Sequence, residues 1–425
     1  MTCNRLIKQI ASIFAAAFIF QAGSAFACTG IKFSVSMPEP GYPPQTFAGR
    51  TMEFGPDVAY WKVLYTPKDY NYESCKISLM DMSFLDACVR EIDPKSDKKR
   101  YESVKGYSWP VRYSYVGFAP MKHLAKKGIG KRIEFTAIEI SDGINDQGLY
   151  SGAFYHMGFA QYSNAPANLA GQKNISNGDF IAWVLGQFST VDEVKAALAD
   201  VEVRLFDIEL FEQALQPDNM PHLHYHVVDR SGKAIVVEFV DGKPKVFDSV
   251  GVITNAPNYD WQVMNLRNYV GLQTKNHENT TFMGTQYNKL SNGTGGIGLP
   301  GDFSSTSRFI RAMYFLNATV TNIKMKTADE AIQRSFRILN QFDIPEGSVV
   351  ETKPNNPDKV STMEATSWTS MADLQTLRYY YNTMQSRVIR MVDLNQLKKL
   401  QVTKPVAIEL PANELVIDET PLFKK

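Results

Sequence analysis

The sequence predicts an α+β fold with layered sheets, because strand patterns arrive in blocks and helical patterns arrive in separate blocks, with no internal repeat among them. Residues 29–35 are strand-like, 38–44 form a Pro/Gly-rich turn, and 46–54 resume the strand pattern, which makes an opening hairpin. Residues 178–199 show helical spacing in two pieces broken at Ser189 or Thr190, where Thr190 and Glu193 match a capping box. Two amphipathic helices are expected there. The period then changes: 222–228, 234–240 and 245–247 alternate or run apolar, separated by Asp229-Arg230-Ser231-Gly232 and by Asp241-Gly242, which predicts an antiparallel meander. Residues 305–317 and 327–341 return to helical spacing, and 377–394 read as strands, including Tyr379-Tyr380-Tyr381. Residues 89–106 and 122–132, rich in charge and glycine, read as solvated loops or insertions within one domain, so that 84–132 is expected to be partly insertion.

The amino terminus reads as an export signal. Arg5 and Lys8 give a positive n-region, residues 10–20 a short apolar h-region, and Ala25-Phe26-Ala27 an A-x-A cleavage site. The apolar run is too short to span a bilayer. Residues 1–27 are therefore expected to be removed, leaving 28–425 as a single catalytic domain in the periplasm or outside the cell. A retained anchor or a lipidated Cys28 is the alternative, although lipoprotein signals place Leu three residues before the cysteine and here Ala25 stands there. Lys plus Arg number 45 against 44 Asp plus Glu, so no net field recruits nucleic acid or an anionic membrane. Interest falls on a small-molecule site.

Of 4 cysteines, Cys3 leaves with the leader and Cys28 becomes the terminus. Cys75 and Cys88 remain in an oxidising compartment, as a disulfide or as two buried thiols. His222, His224 and His226 share one strand face, but no neighbouring carboxylate or cysteine completes a metal site. Gly293 to Gly298 spells G-x-G-x-x-G, yet Pro300, Gly301 and Asp302 follow where a helix should begin, so a loop is expected. No G-x-S-x-G elbow and no papain-like cysteine signature occur. Neither a metal nor any other cofactor is expected.

Cys28 remains, and export would give it a thiol and a free α-amine on one residue. The first ordinarily titrates near 8.5 and the second near 7.7 to 8.0, so small shifts yield a thiolate beside a proton carrier. Such a pair can attack an amide carbonyl, pass through a tetrahedral oxyanion and leave a thioester for water to cleave.

Cys28-Thr29-Gly30, Gly49-Arg50-Thr51-Met52-Glu53, Asn145-Asp146-Gln147-Gly148-Leu149, Thr254-Asn255-Ala256-Pro257, Gly298-Leu299-Pro300-Gly301-Asp302-Phe303 and Ser307-Arg308-Phe309-Ile310-Arg311 together resemble the choloylglycine hydrolase family, in family order over most of the chain. That family contains bile salt hydrolases and penicillin V acylases, N-terminal nucleophile hydrolases of linear amides. The resemblance implies a four-layer αββα sandwich, often assembled as a homotetramer. It implies Cys28 as nucleophile, Arg50 as the guanidinium beside the thiolate, Asn255 as the oxyanion-stabilising asparagine and Arg308 as a second active-site arginine. Glu53 stands where the family usually has aspartate, one methylene shorter. Tyr155 falls where bile salt hydrolases often carry asparagine and penicillin V acylases tyrosine, which leans toward acylase-type substrates, while its backbone N–H can still serve an oxyanion. Phe54, Tyr60, Trp61, Phe154 and Tyr155 are the expected aromatic walls for a steroid, phenoxyacetyl or fatty acyl group. The implied substrates are conjugated bile salts, penicillin V or N-acyl homoserine lactones. An N-acylethanolamine or ceramide-type amidase, and a non-catalytic lipidated binding protein, are the rival readings.

Overall fold

The computed structural model describes residues 27–36, 44–53, 61–74, 76–79, 82–86, 88–91, 101–120, 123–125, 132–134, 140–165, 173–204, 222–353 and 356–410. Residues 1–26, Phe54, Tyr60 and Cys75 lie outside them. Two antiparallel sheets dominate. Strands β1 (Cys28–Val35) and β2 (Gln45–Glu53) form the predicted hairpin, paired from Cys28 opposite Met52 to Val35 opposite Gln45. The eight-stranded sheet is built from β3 (Trp61–Thr66), β4 (Tyr115–Pro120), β5 (Asp142–Asn145), β6 (Tyr150–Tyr155), β7 (Leu223–Val228), β8 (Ala234–Val240) and β9 (Lys243–Asp248). The six-stranded sheet adds to the hairpin β10 (Val252–Ile253), β11 (Thr366–Asp373), β12 (Arg378–Thr383) and β13 (Arg390–Asp393), while β14 (Val406–Glu409) closes the edge of the larger sheet. Their orders are β10-β1-β2-β11-β12-β13 and β9-β8-β7-β6-β5-β4-β3-β14.

Each sheet buries both faces, so each needs a helical layer outside it. Helices α1 (Phe180–Gln187) and α2 (Val191–Ala197) pack with the outer face of the larger sheet around Trp109, Tyr115, Ile175 and Tyr225. Helix α3 (Tyr259–Asn265) follows β10, and α4 (Ser305–Asn322) and α5 (Ala328–Leu339) cover the smaller sheet. The core between the sheets holds Phe118, Phe154 and Trp368, with Phe118 stacked on Trp368 at 4.0 Å. This is the αββα sandwich. Thr190 caps α2 as expected, its hydroxyl accepting from the Glu193 N–H at 3.2 Å.

One expectation needs correction. Helix α1 is not amphipathic: Phe180 to Gly186 are all buried, because it lies between the larger sheet and the neighbouring loops rather than at the surface. Within 84–132, β4 is an interior strand of the larger sheet with Tyr115, Val116 and Phe118 wholly buried. The charged stretches on either side contain short hairpins, Cys88–Glu91 with Tyr101–Val104 and His123–Ala125 with Arg132–Glu134. Cys88 thus begins a strand, while the expected pairing with Cys75 lies outside the described residues. Residues 293–298 form a 3₁₀ turn at Thr294–Gly296 and no strand-to-helix crossover. Among the described residues no helix is long and apolar enough to cross a membrane.

Candidate active site

Hairpin register places the first functional pair. Cys28 opposes Met52 and Gly30 opposes Arg50, so period-two alternation puts Cys28, Gly30 and Arg50 on one face of the smaller sheet. Gly30 is required there: a Cβ would lie 2.5 Å from Cζ of Phe154, which reaches across from β6. The Arg50 guanidinium lies over the Phe154 ring, 4.4 Å from its centroid, and its Nη2–H donates to Cys28 Sγ at 2.7 Å. Its Nε–H donates to the Thr51 carbonyl at 3.1 Å, and Nη1 donates to the Ala153 carbonyl. Arg50 is wholly buried and Cys28 is 2% exposed. Burial pushes the thiol up, and the Arg50 guanidinium pulls it back, with Glu53 raising and Arg308 lowering it to smaller extents.

Arg308 arrives from the opposite side, on the first turns of α4. Its Nη1 donates to the Cys28 carbonyl and to Thr29 Oγ1 at 2.8 Å, and its Nη2 donates to Asn255 Oδ1 at 2.6 Å. That same Oδ1 accepts the Cys28 N–H at 2.8 Å. Asn255 also donates through Nδ2 to the Tyr155 carbonyl at 2.8 Å, which occupies one of its two amide hydrogens and leaves one. Its place follows from the edge strand β10 and from Ser305 Oγ, which accepts the Asn255 N–H at 3.0 Å. The side chain therefore orients the Cys28 nitrogen.

Glu53 ends β2 at a bulge, where pairing with β11 skips a residue between Met52 and Glu53. Its Oε1 accepts from Thr366 Oγ1 at 3.1 Å. Burial raises its carboxyl to about 7 against the pull of Arg308. The carboxylate does not bond the Cys28 nitrogen; the Glu53 backbone N–H instead donates to the Ala27 carbonyl at 3.2 Å. Of the expected aromatic walls, Tyr155 ends β6 beside Asn255, Phe154 supports Arg50, and Trp61 packs edge-on to Trp368 at 5.4 Å in the core between the sheets. Phe54 and Tyr60 fall outside the described residues.

Sequence reading missed the groups that hold these residues. Behind Arg50 the wholly buried Asp142 accepts from Tyr379 Oη at 2.6 Å, from Tyr150 Oη at 3.4 Å and from Ser370 Oγ. Burial raises this carboxyl and Arg50 opposes the rise. Register offers a partial signal, since Ser370 lies directly opposite Arg50 across β2 and β11. The missing carboxylate near His224 also exists: Glu238 Oε1 lies 3.3 Å from His224 Nδ1 and 3.6 Å from His156 Nε2. A metal is nevertheless disfavoured, because the His156 and His224 rings stack at 4.2 Å with a 4° interplanar angle. In-plane lone pairs of parallel rings cannot converge on one ion. His222 stands outside this group.

A family profile described as linear amide C–N hydrolases, choloylglycine hydrolase family, matches residues 41–408. The chain belongs to this family. It is therefore an amidohydrolase acting on linear amides. It is similar to a bile salt hydrolase/transferase of Clostridium perfringens, 35% identical over 259 residues, which cover 60% of this chain and 73% of that protein. A bile salt hydrolase/transferase of Lactiplantibacillus plantarum is 34% identical over 63% of this chain and 77% of its own. A penicillin V acylase of Pectobacterium atrosepticum is 23% identical over 60% and 62%. Among solved structures, a variant of the conjugated bile acid hydrolase from Clostridium perfringens superposes with a TM-score of 0.67 at 27% identity, covering 92% of this chain and all of that one. Two independent routes thus meet on one architecture.

Proposed function

We propose that the chain is exported, loses residues 1–27 and then hydrolyses linear amides through Cys28, the contact from Arg50 Nη2 to Cys28 Sγ being the observation that carries this reading. Residues 28–425 act as one catalytic domain. Removal of Ala27 turns the Cys28 nitrogen from an amide into an amine able to accept a proton. Asn255 Oδ1, already 2.8 Å from that nitrogen, fixes its direction, and the neighbouring Arg308 cation favours the neutral amine over ammonium. The amine takes the thiol proton, Sγ attacks the carbonyl carbon, and the oxyanion meets the free Asn255 amide hydrogen and the Tyr155 backbone N–H. Collapse breaks the C–N bond, the Cys28 ammonium protonates the departing amine, and the acyl group stays on Sγ as a thioester. Water then adds, its proton passing to the same amine, and the acid leaves.

For the acyl group, similarity to bile salt hydrolases at 34 to 35% identity favours conjugated bile salts. Tyr155 favours the second reading, penicillin V, with N-acyl homoserine lactones as a further candidate. The exposed hairpin of Thr280–Phe282 and Thr285–Tyr287, with Phe282, Met283 and Leu290 bare, supports assembly into a homotetramer. Turnover of glycocholate, taurocholate, penicillin V and long-chain acyl homoserine lactones by the mature chain tests the substrate class. Cys28→Ala, processed and folded, is expected to turn over none of them; activity in that variant would overturn the assignment. Mass spectrometry of the mature terminus is expected to show an unmodified Cys28, and a diacylglyceryl adduct there would favour the anchored binding protein.

A further inference from the structure

The buried group beneath the Asn255 loop is built from Glu238, His224 and His156, titratable side chains that the reaction does not use. Glu238 on β8 and His224 on β7 are 0% and 1% exposed. The β7–β8 register pairs Tyr225 with Val237, and one further step sets His224 opposite Glu238. His224 Nε2 lies 3.0 Å from the Thr254 carbonyl. A carbonyl only accepts, so Nε2 carries the hydrogen and, in the neutral ring, Nδ1 is left bare toward Glu238. The contact at 3.3 Å then needs a proton between the two, held by the carboxyl or by the ring. Burial lowers His224 to about 4 and raises Glu238, both of which favour the uncharged pair with the proton on the carboxyl.

The same Oε1 accepts the Tyr259 backbone N–H at 2.7 Å, at the start of α3. One carboxyl therefore reaches both ends of the segment from Thr254 to Tyr259, through His224 at its beginning and directly at its end. Between those ends sits Asn255, whose side chain holds the Cys28 nitrogen. Among the described residues, nothing else on the larger sheet grips the beginning of this segment through its main chain. Ser305 Oγ, within 3.0 Å of Thr254 Oγ1 and 3.1 Å of Gln262 Nε2, belongs to the helical side.

We propose that Glu238 and His224 are positioning residues that clamp the Asn255 segment at both ends and so fix the alignment of the Cys28 amine. The proposal rests on the reading of Cys28 as nucleophile. Misplacement by about 1 Å can cost about a hundredfold in rate, so the effect belongs in kcat more than in KM.

The test measures kcat, KM and thermal melting of the mature chain with its best amide substrate. Glu238→Gln keeps only one of the two bonds, because Oε1 makes both: its carbonyl oxygen still accepts from Tyr259 but has no proton to share with His224 Nδ1, so kcat is expected to fall by about threefold to tenfold, less than in Glu238→Leu. Glu238→Leu and His224→Phe remove the hydrogen bonds while filling the space, and are expected to lose about tenfold to a hundredfold in kcat with KM little changed. Folded Leu and Phe variants that retain full kcat overturn the proposal. So does a Glu238→Gln variant that falls as far as Glu238→Leu. Should the Leu and Phe variants not fold, Glu238→Gln carries the test alone, and a loss beyond about tenfold in it refutes the clamp. A parent chain inert toward every amide would instead refute the reading of Cys28, so the two failures are told apart.

Discussion

Replacing Arg50 with methionine removes the cation that faces the proposed nucleophile, Cys28, while keeping an unbranched side chain between Phe154 and Trp368. The lost contact is a charge-assisted hydrogen bond of 2.7 Å to Sγ in a wholly buried setting. Such bonds contribute about 1.5 to 3 kcal/mol, which raises the pH at which the thiol ionises by about one to two. The direction is fixed by the geometry: burial already pushes the thiol up, Arg50 is the main group pulling it down, and Arg308 alone remains to oppose Glu53. The same loss leaves the buried Asp142 without its nearest cation, so that carboxyl takes up a proton and stability also falls. The assay is the rate of Cys28 alkylation by iodoacetamide from about pH 5 to 10, beside a thermal melt to establish folding. The midpoint is expected to move alkaline, with kcat/KM down by about a hundredfold to a thousandfold. A folded variant whose midpoint stays in place or moves acid would refute the role given to Arg50.

Gly30→Ala puts a Cβ 2.5 Å from Phe154 and 2.8 Å from Ile253. Overpacking of this kind costs about 1 to 3 kcal/mol, read by denaturant melts, and the displaced Phe154 should lower kcat as well. Glu53→Gln is expected to remove a pH dependence of stability. The folded carboxyl is raised from 4.5 to about 7, so its contribution is present below 4.5 and is lost as pH rises through about 7. The variant should therefore gain on the parent over that window by up to about 3 kcal/mol, and a parallel pair of stability curves would count against it. Blocking removal of the leader, by Ala25→Arg together with Ala27→Arg, is expected to leave an inactive chain, checked by mass and turnover, because the Cys28 nitrogen stays an amide.

What could be read from the sequence was local. The β7 to β9 meander was legible because Gly232 and Gly242 adopt φ of 89° and 76°, the left-handed geometry that their turns announce. The β1–β2 hairpin was legible for similar reasons, with a Pro/Gly-rich connection between two apolar runs. Strand β4 was hidden by its charged neighbours on both sides, whereas α1 was found as a helix and only its burial on every side was missed. Cys28, Arg50, Asn255 and Arg308 were found through their family motifs, and the structure gathers all four. Their supports were not found, because Asp142, Tyr150 and Tyr379 meet only when sheets stack. Glu238 was missed as well, although its signal is local. Counting outward from the Asp229 to Gly232 turn gives the register that brings it to His224.

The chemistry straddles the seam between the two sheets. Cys28, Arg50 and Asn255 belong to the smaller sheet and its edge, whereas the carbonyls of Ala153 and Tyr155, which Arg50 and Asn255 grip, belong to the larger one. Two hydrogen bonds thus act as rivets across the seam, and turnover becomes a gauge of how firmly the layers are docked. In rising urea, activity should vanish before the far-ultraviolet strand signal, since a slight parting of the layers misdirects both side chains while every strand keeps its partner. Coincident loss of the two signals would mean that the layers part only when the strands do.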